Sequence, residues 1–348
     1  MRILLLGGTW FLGRAVAENA LARGWRVTTF NRGRSAPDLP GTEPVHGDRT
    51  SADDLKRLAG YGPWDLVVDT SASEMAPCQV LDGTRVLAAE AERYVYVSTV
   101  NAYRGWPHEA LTEDSPVYAA PPDASREYGA GDGVTVHYGM QKAGCEAAVL
   151  SQFGDRATVL RPGVILGPGE YVGRLPWWLS RARRGGAILA PGQPGTHVQP
   201  VDVRDVAEFA LSASPGAYNV AAPRDRDTMG DLLGACVAVT GSRGRLAWAP
   251  DELLTAHGVR EWTELPLWRT AQGTWAVDST RAQAAGLVCR PLAQTVADTW
   301  EWLTSGGVPG GPPPGGGHRH DPPPARGLLA PRRLPAKGPR RPGHGGAA

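Results

Sequence analysis

The N-terminal segment MRILLLGGTWFLG constrains the fold more strongly than any other part of the chain. An apolar run over residues 3–6 leads directly into Gly7 and Gly8, and a helical spacing of apolar residues begins at Phe11. A strand, a glycine-rich turn and a helix in this order open a βαβ unit, in which backbone N–H groups and the helix N-terminus can hold a pyrophosphate. The segment therefore predicts a dinucleotide site. Its predicted cofactor-binding residues are Gly7, Thr9, Trp10, Phe11, Leu12 and Gly13.

The rest of the first half alternates short apolar strands with helical segments. Strands are predicted at residues 2–6, 25–30, 44–46, 66–69, 94–98 and 157–160. Ser51, followed by Asp53 and Asp54, is typical of a helix N-cap with acidic residues in the first turn. This alternation predicts an α/β fold with a doubly wound parallel sheet of the Rossmann type.

The second half is less regular, with helices predicted near residues 203–212, 228–240 and 292–303. We expect a dinucleotide-binding core over residues 1–165, to which residues 197–220 return, and a smaller C-terminal substrate-binding lobe over residues 166–303.

The C-terminal residues 304–348 are rich in proline, glycine and arginine. Such a composition cannot bury enough apolar surface to offset chain entropy, so this tail is predicted to be disordered. It has seven basic residues and one acidic residue, a formal +6 in a chain of net +1, which leaves −5 for the remaining residues. The acidic body argues against nucleic acid as a partner, since a nucleic-acid-binding domain normally presents a basic face.

The four cysteines lie far apart and form no Cys-x-x-Cys pair. This pattern indicates neither a disulfide framework nor a metal site. The first apolar run is too short for a signal peptide, and no stretch approaches the length of a membrane span. We therefore expect a cytoplasmic protein without a membrane partner, present as a monomer or a homodimer.

Tyr138 and Lys142 are the candidate acid–base pair. They are four residues apart at the start of a predicted helix, so their side chains share one helix face. A free phenol has a pKa of about 10, and a nearby ammonium group favours its ionised form. Thr99 follows the fifth predicted strand and offers a hydroxyl at the end of the sheet where ligands bind. Tyr138 and Lys142 are therefore predicted catalytic residues, and Thr99 joins them because the segment from Ser98 to Tyr103 resembles the strand-end motif of a known enzyme family, in which Thr99 takes the catalytic Ser/Thr position.

The turn and the Tyr–Lys pair together resemble the extended and atypical short-chain dehydrogenase/reductase family, also described as NAD-dependent epimerases/dehydratases. Gly7 and Gly13 match its G-x-x-G-x-x-G pattern, with Trp10 in place of the middle glycine. The resulting GGT-x-F-L-G variant is typical of a branch that includes bacterial reductases and chloroplast stem-loop-binding proteins.

The resemblance assigns further roles at the cofactor. It implies that Asp48 meets the adenine amino group and that Thr70 and Ser71 lie along the diphosphate and ribose. It also implies that Lys142 holds the nicotinamide ribose.

The residues after the second strand bear on the choice of cofactor. An acid at this position would bind the ribose 2′-hydroxyl of NAD, whereas this chain has Asn31, Arg32 and Arg34. Arginine can pair with a 2′-phosphate through charge-assisted hydrogen bonds. We therefore predict NADP as the cofactor, with NAD as the alternative.

These features favour an NADP(H)-dependent oxidoreductase, a reductase that transfers hydride at a carbonyl or alcohol carbon of a small-molecule substrate. One alternative is an epimerase or dehydratase that acts on a sugar or sugar nucleotide with bound NAD(P). Two features weigh against it: Val164 stands where nucleotide-sugar enzymes commonly have asparagine, and Val100-Asn101 replaces the Asp-Glu typical of the dehydratases. A second alternative is an RNA-binding family member without turnover, in which the position of Tyr138 is typically not tyrosine.

Overall fold

The structure is a computed structural model that describes residues 1–34 and 36–307. Its strands, in chain order, are β1 (Arg2–Leu6), β2 (Arg26–Asn31), β3 (Glu43–His46), β4 (Trp64–Asp69), β5 (Ala91–Val97), β6 (Ala157–Pro162), β7 (Ile165–Leu166), β8 (Ala187–Pro191), β9 (His197–Val198), β10 (Val201–Asp202), β11 (Gly216–Val220), β12 (Asp227–Thr228) and β13 (Arg245–Ala249). Its α-helices are α1 (Phe11–Ala22), α2 (Ala52–Ala59), α3 (Pro77–Leu87), α4 (Val134–Phe153), α5 (Arg174–Arg183), α6 (Val203–Ser212), α7 (Met229–Val239), α8 (Asp251–Ala256), α9 (Thr280–Ala284) and α10 (Leu292–Thr304).

Seven of these strands form one sheet in the order β11-β6-β5-β4-β1-β2-β3. All of its neighbouring strands run parallel. The chain winds from β1 towards β3 on one side and from β4 towards β11 on the other. The order therefore reverses between β1 and β4, which is where ligands bind in sheets of this type. The predicted doubly wound α/β fold is confirmed.

Strand β1 shows why its sequence is apolar throughout. Ile3 and Leu5 face a core formed with α1 and α6, whereas Leu4 and Leu6 face a core formed with α3 and α4. All four side chains are buried. A central parallel strand is covered on both faces, so it needs apolar residues at every position. Each such side chain contributes about 1.5–3 kcal/mol relative to an exposed one.

The N-terminus of α2 confirms the predicted cap. The Ser51 hydroxyl accepts a hydrogen bond from the Asp54 amide at 3.2 Å. Such a cap satisfies one of the free amide groups at the start of a helix, and it ends the loop after β3 at a defined residue.

The second half of the chain builds a separate core from α5, α7, α10 and the parallel pair β8–β13. Trp178 is buried in this core and donates its indole N–H to the carbonyl of Pro266 at 2.8 Å. Trp268 is buried there as well, whereas Trp262 is only partly buried at its edge.

Among the described residues, every helix falls short of the length or the hydrophobicity that crossing a bilayer would require. The predicted disorder of the tail concerns residues outside the described ranges, apart from the last residues of α10 and the few that follow it.

Candidate functional site

The glycine-rich turn packs closely against the end of β4. Gly7 has φ +113°, a conformation that L side chains rarely adopt. A Cβ atom at Gly13 would lie 2.7 Å from the Thr70 hydroxyl oxygen and 2.8 Å from the Gly8 amide nitrogen. The turn therefore has room for backbone only at Gly7 and Gly13, which leaves space for a ligand to approach its amide groups. Thr9 and Leu12 lie in the same turn and at the start of α1.

Trp10, which replaces the middle glycine, contacts the second half of the chain. It has an extended backbone and immediately precedes α1. Its ring stacks on Tyr171 with a centroid distance of 4.8 Å and an interplanar angle of 21°. Phe11 meets the same Tyr171 ring edge-on at 6.0 Å. The bulky residue is thus accommodated because its side chain packs against Tyr171, a contact between residues far apart in sequence.

The predicted selectivity residues follow β2. Asn31 accepts a hydrogen bond from the Gly33 amide at 2.7 Å, which shapes the turn. Arg32 and Arg34 are exposed, and neither forms an ion pair with another residue of the described ranges. A depression beside them is lined by Gly33, Arg34, Ala36, Pro37, Asp38 and His46.

Asp48 lies close to these two arginines. Its carboxylate accepts hydrogen bonds from the Thr50 amide at 2.9 Å and from the Thr50 hydroxyl at 2.7 Å. These bonds, together with the positive charges of Arg32 and Arg34, lower the pKa of Asp48 below its ordinary value. The carboxylate is therefore ionised at neutral pH.

Arg49 forms a buried ion pair that the sequence did not predict. Its guanidinium donates to both carboxylate oxygens of Asp69 at 2.7 Å and to the Ser71 hydroxyl at 2.8 Å. The Tyr94 hydroxyl also donates to Asp69, at 2.8 Å. Burial lowers the pKa of Arg49, but Asp69 outweighs this and raises it. The pair ties the loop after β3 to the end of β4, next to the predicted cofactor residues Thr70 and Ser71.

Thr99 lies two residues after β5 and caps a short 3-10 helix, Val100–Ala102. Its hydroxyl accepts from the Asn101 amide at 3.2 Å and donates to the Asn101 side-chain oxygen at 3.1 Å. Helix α4 packs so closely on this turn that a side chain at Gly139 would collide with the Asn101 carbonyl oxygen. Tyr138 precedes Gly139 on α4, at the part of the helix that packs on this turn.

Lys142 is buried, and Nζ donates to the Val97 carbonyl at 2.9 Å. It also lies 4.5 Å from the centroid of the Tyr96 ring. Burial lowers the pKa of Lys142 because the charged form loses hydration. Lys142 is thus held at the end of β5 by the backbone.

Tyr138 is half-buried, and burial raises the pKa of its phenol well above the ordinary value, with smaller contributions from Tyr171 and Glu74. The sequence predicted that Lys142 would favour the phenolate. In the structure, Lys142 donates to the Val97 carbonyl instead. Burial is then the largest influence on the pKa of Tyr138, and it favours the neutral phenol.

The match to known proteins is clearest over the first two thirds of the chain. The family model "NAD dependent epimerase/dehydratase family" matches residues 3–221. The chain belongs to this family. The resemblance expected from the turn and the Tyr–Lys pair is therefore confirmed, and family membership supports an enzyme that uses a nicotinamide cofactor.

Two relatives of this chain have names that denote different functions. The chain is 26% identical over 261 residues to the chloroplast stem-loop binding protein of 41 kDa b from Arabidopsis thaliana, covering 69% of this chain and 63% of that protein. It is 29% identical over 238 residues to the 2-alkyl-3-oxoalkanoate reductase of Stenotrophomonas maltophilia, covering 62% of this chain and 67% of that protein. The chain thus spans slightly less than two thirds of the plant protein and about two thirds of the reductase.

Solved structures of other proteins share the fold. The UDP-glucose 4-epimerase of Thermotoga maritima, solved with UDP-glucose, aligns with TM-score 0.63 and 17% identity over 88% of this chain and 99% of that one. An enzyme of Bordetella bronchiseptica, solved with NAD+, aligns with TM-score 0.65 and 19% identity over 88% and 99% of the two chains. At these identities the likeness shows the fold alone.

Behind the Thr99 turn, this family member has a buried polar network. Glu146, one turn after Lys142 on α4, accepts hydrogen bonds from the Ser98 hydroxyl and from Arg161, whose Nη2 lies at 2.6 Å. Arg161 also donates to the Tyr103 hydroxyl at 2.9 Å. The network joins α4 to the ends of β5 and β6. The sequence did not predict this network, because a charged residue in an apolar strand or a helix does not indicate which distant residue it will pair with.

The structure brings most predicted site residues to one edge of the sheet. The glycine turn, Thr70 and Ser71 meet between β1 and β4, and Thr99 meets α4 at the end of β5. Within the described ranges, no cluster of three or more His, Cys, Asp or Glu side chains could hold a metal ion. The four cysteines are free thiols.

Proposed function

We propose that this protein is an NADP(H)-dependent oxidoreductase that transfers hydride at a carbonyl or alcohol carbon of a small molecule. The observation that carries the proposal is the placement of Tyr138 and Lys142 on α4, against the Thr99 turn at the carboxyl end of β5. We infer that the Thr99 hydroxyl, the Tyr138 phenol and the Lys142 ammonium group face one ligand at this end of the sheet, where ligands bind in a doubly wound fold.

The residues present fit a dinucleotide. A side chain at Gly7 or Gly13 would collide with Thr70, so the glycines allow the turn to pack against the end of β4 and to lead into the start of α1, where a diphosphate can bind the amide groups. Asp48 is ionised and can accept from the adenine amino group. The bound nicotinamide would supply the hydride for reduction.

Tyr138 is suited to the reductive direction. Because burial raises the pKa of its phenol, Tyr138 is protonated at neutral pH and can give a proton to the substrate oxygen as that oxygen gains negative charge. The Thr99 hydroxyl can donate a hydrogen bond to the same oxygen. Lys142 uses one of its three N–H groups on Val97, and the other two can hold a ribose hydroxyl.

Arg32 and Arg34 support NADP over NAD. Both are exposed next to the turn after β2 and near Asp48, and they have no ion-pair partner among the described residues. A 2′-phosphate would give them one, with charge-assisted hydrogen bonds.

The proposal places the substrate under the lobe of residues 166–303, with residues 1–165 and 197–220 holding the cofactor.

The reductase of Stenotrophomonas maltophilia supports turnover on a carbonyl compound. The stem-loop binding relative supports RNA binding as a second candidate, against which stand Tyr138 and the formal charge of −5 on residues 1–304. A cytoplasmic location and a monomeric or homodimeric state stay predictions.

Cofactor choice can be tested without a known substrate. NADPH and NADH are titrated separately into the purified protein, and binding is followed by the fluorescence of the reduced nicotinamide. We expect NADPH to bind more tightly, with the preference lost in an Arg32→Ala/Arg34→Ala variant and kept in the exposed control Arg85→Ala. An unchanged preference in the double variant would contradict the assignment.

Turnover is tested with a panel of 3-oxoalkanoates and simple ketones, by the loss of NADPH absorbance. Tyr138→Phe should lose turnover but keep NADPH affinity, whereas Tyr61→Phe, at an exposed tyrosine, should behave as the wild type. Product formation without net loss of NADPH would instead indicate an epimerase. Wild-type turnover in Tyr138→Phe would refute the mechanism, and salt-sensitive RNA binding without nicotinamide binding would favour the second candidate.

A further inference from the structure

Two arginines and two tryptophans meet beside the candidate active site, and we call Arg174, Arg269, Trp106 and Trp262 the Arg–Trp cluster. The guanidinium carbons of Arg174 and Arg269 lie 4.8 and 4.6 Å from the Trp262 ring centroid. The guanidinium carbon of Arg269 also lies 5.7 Å from the Trp106 ring centroid. Trp262 has φ +67°, which is rare for a bulky residue and is maintained only where surrounding contacts require it.

Among the described residues, the two guanidinium groups have no hydrogen-bond acceptor. The Nε atoms of Arg174 and Arg269 are both buried and unpartnered, as is the indole nitrogen of Trp106. Within the described ranges the side chain of neither arginine donates a hydrogen bond, and Arg174 approaches Glu170 only to 3.7 Å. Burial lowers the pKa of both arginines, which reflects the cost of two positive charges held partly out of water. The two arginines are partly buried, and their unpartnered Nε–H groups can each donate a hydrogen bond to a bound anion.

The neighbouring carboxylates are already occupied. Glu170 is buried and accepts from the amides of Arg174 and Leu175 at 2.9 and 3.0 Å, which caps the start of α5. Glu261 accepts from the Thr270 amide and hydroxyl. These carboxylates offset part of the cluster's positive charge without bonding the guanidinium nitrogens.

The position of the cluster ties it to the substrate rather than to the cofactor diphosphate. Arg174 lies at the start of α5, just after Tyr171, which stacks on Trp10 and raises the pKa of the nearby Tyr138. Trp106 lies on the loop that follows Thr99. The cluster therefore lies between two segments that start at the proposed reaction centre, one after Thr99 and one after Tyr171.

We propose that the Arg–Trp cluster binds a carboxylate of the substrate. A guanidinium stacked on an indole leaves its N–H edges free for planar, bidentate recognition of a carboxylate. A singly charged group fits better than a diphosphate, because Glu170 and Glu261 lie beside the two arginines and would repel a more highly charged anion more strongly. The indole faces of Trp106 and Trp262 offer apolar surface to the rest of the molecule. The substrate would then be a carbonyl compound with an apolar body and one carboxylate, an assignment that rests on the proposed reductase function.

The test uses the full chain saturated with NADPH and three probes: octanoate, the neutral octanamide, and UDP. Binding is measured by calorimetry on the wild type, Arg174→Gln, Arg269→Gln and the exposed control Arg85→Gln, with thermal melts to confirm folding. We expect octanoate to bind at least about tenfold more tightly than octanamide, the effect of one charge-assisted pair. Both cluster variants should lose this difference, and Arg85→Gln should keep it. If Arg174→Gln fails to fold, Arg269→Gln and Arg269→Lys carry the test.

Three results would overturn the proposal: no octanoate binding, equal affinity for octanoate and octanamide, or octanoate binding that is unchanged in Arg269→Gln. UDP binding that depends on Arg269 when octanoate binding does not would show a diphosphate site instead. The NADPH titration separates the two proposals. Loss of the octanoate result with intact NADPH binding refutes only the carboxylate site, whereas octanoate binding without NADPH binding refutes only the reductase.

Discussion

Replacing Asp69 with asparagine should destabilise the protein strongly, because it leaves the Arg49 charge buried without a counter-ion. Asp69 is fully buried, and the Arg49 side chain is 10% exposed. The substitution removes the charge from two 2.7 Å hydrogen bonds and weakens the bond from the Tyr94 hydroxyl. Breaking one partner of a buried pair costs about 3–5 kcal/mol. We therefore expect Asp69→Asn to lower the free energy of unfolding by about that amount.

The reasoning makes a second, sharper claim about the double variant Asp69→Asn/Arg49→Met. With the guanidinium replaced by an apolar chain of similar length, no charge is stranded, so the double variant should be more stable than Asp69→Asn alone. A matched exposed pair, Arg26 and Glu43 at 2.8 Å, provides the control, since Glu43→Gln should cost no more than about 1 kcal/mol.

The assay is urea unfolding followed by tryptophan fluorescence, with all variants at one pH and ionic strength. A cost below about 1 kcal/mol for Asp69→Asn, similar to that of Glu43→Gln, would refute the view that burial sets the magnitude. Additive costs in the double variant would refute the stranded charge as the cause.

Three further predictions concern the turn, the Trp10 contact and Lys142. Gly13→Ala should weaken NADPH binding at least about tenfold and cost about 1–3 kcal/mol by overpacking against Thr70 and Gly8, whereas Gly234→Ala, with open space around it, should leave nucleotide titrations unchanged. Trp10→Ala and Tyr171→Ala should show a coupling energy of about 0.5–1.5 kcal/mol in a double-mutant unfolding cycle, and zero coupling would deny the stacking. Burial lowers the pKa of Lys142, so the unfolded chain binds the lysine proton more tightly than the folded chain does. The free energy of unfolding of the wild type, relative to that of Lys142→Met, should therefore rise as pH rises towards the ordinary lysine pKa. A difference between the two proteins that does not change with pH in unfolding experiments would contradict this sign.

The elements that the sequence predicted well are those set by local spacing. The apolar run of β1, the glycine turn and the start of α1 follow from neighbouring residues, and so does the Ser51 cap. The doubly wound parallel sheet followed from the alternation of strands and helices, because parallel connections in one sheet have few allowed arrangements.

The ionisation of the candidate site was harder to predict. The four-residue spacing of Tyr138 and Lys142 correctly places both on one helix, but it does not show that Lys142 is bound to Val97 or that Tyr138 is half-buried. Burial and hydrogen-bond partners set a pKa, and both depend on elements that pack from elsewhere in the chain.

The sequence by itself determined that this chain forms a doubly wound sheet with a glycine-rich turn at its N-terminus, since periodicity and turn chemistry act over a few residues. Only the tertiary structure decided what surrounds that turn. The partners Arg49 and Asp69, Trp10 and Tyr171, and the two arginines stacked on Trp262 are distant in sequence. Their contacts arise when helices, strands and loops pack into one core and exclude water, and this packing gives the candidate site its charges and its specificity.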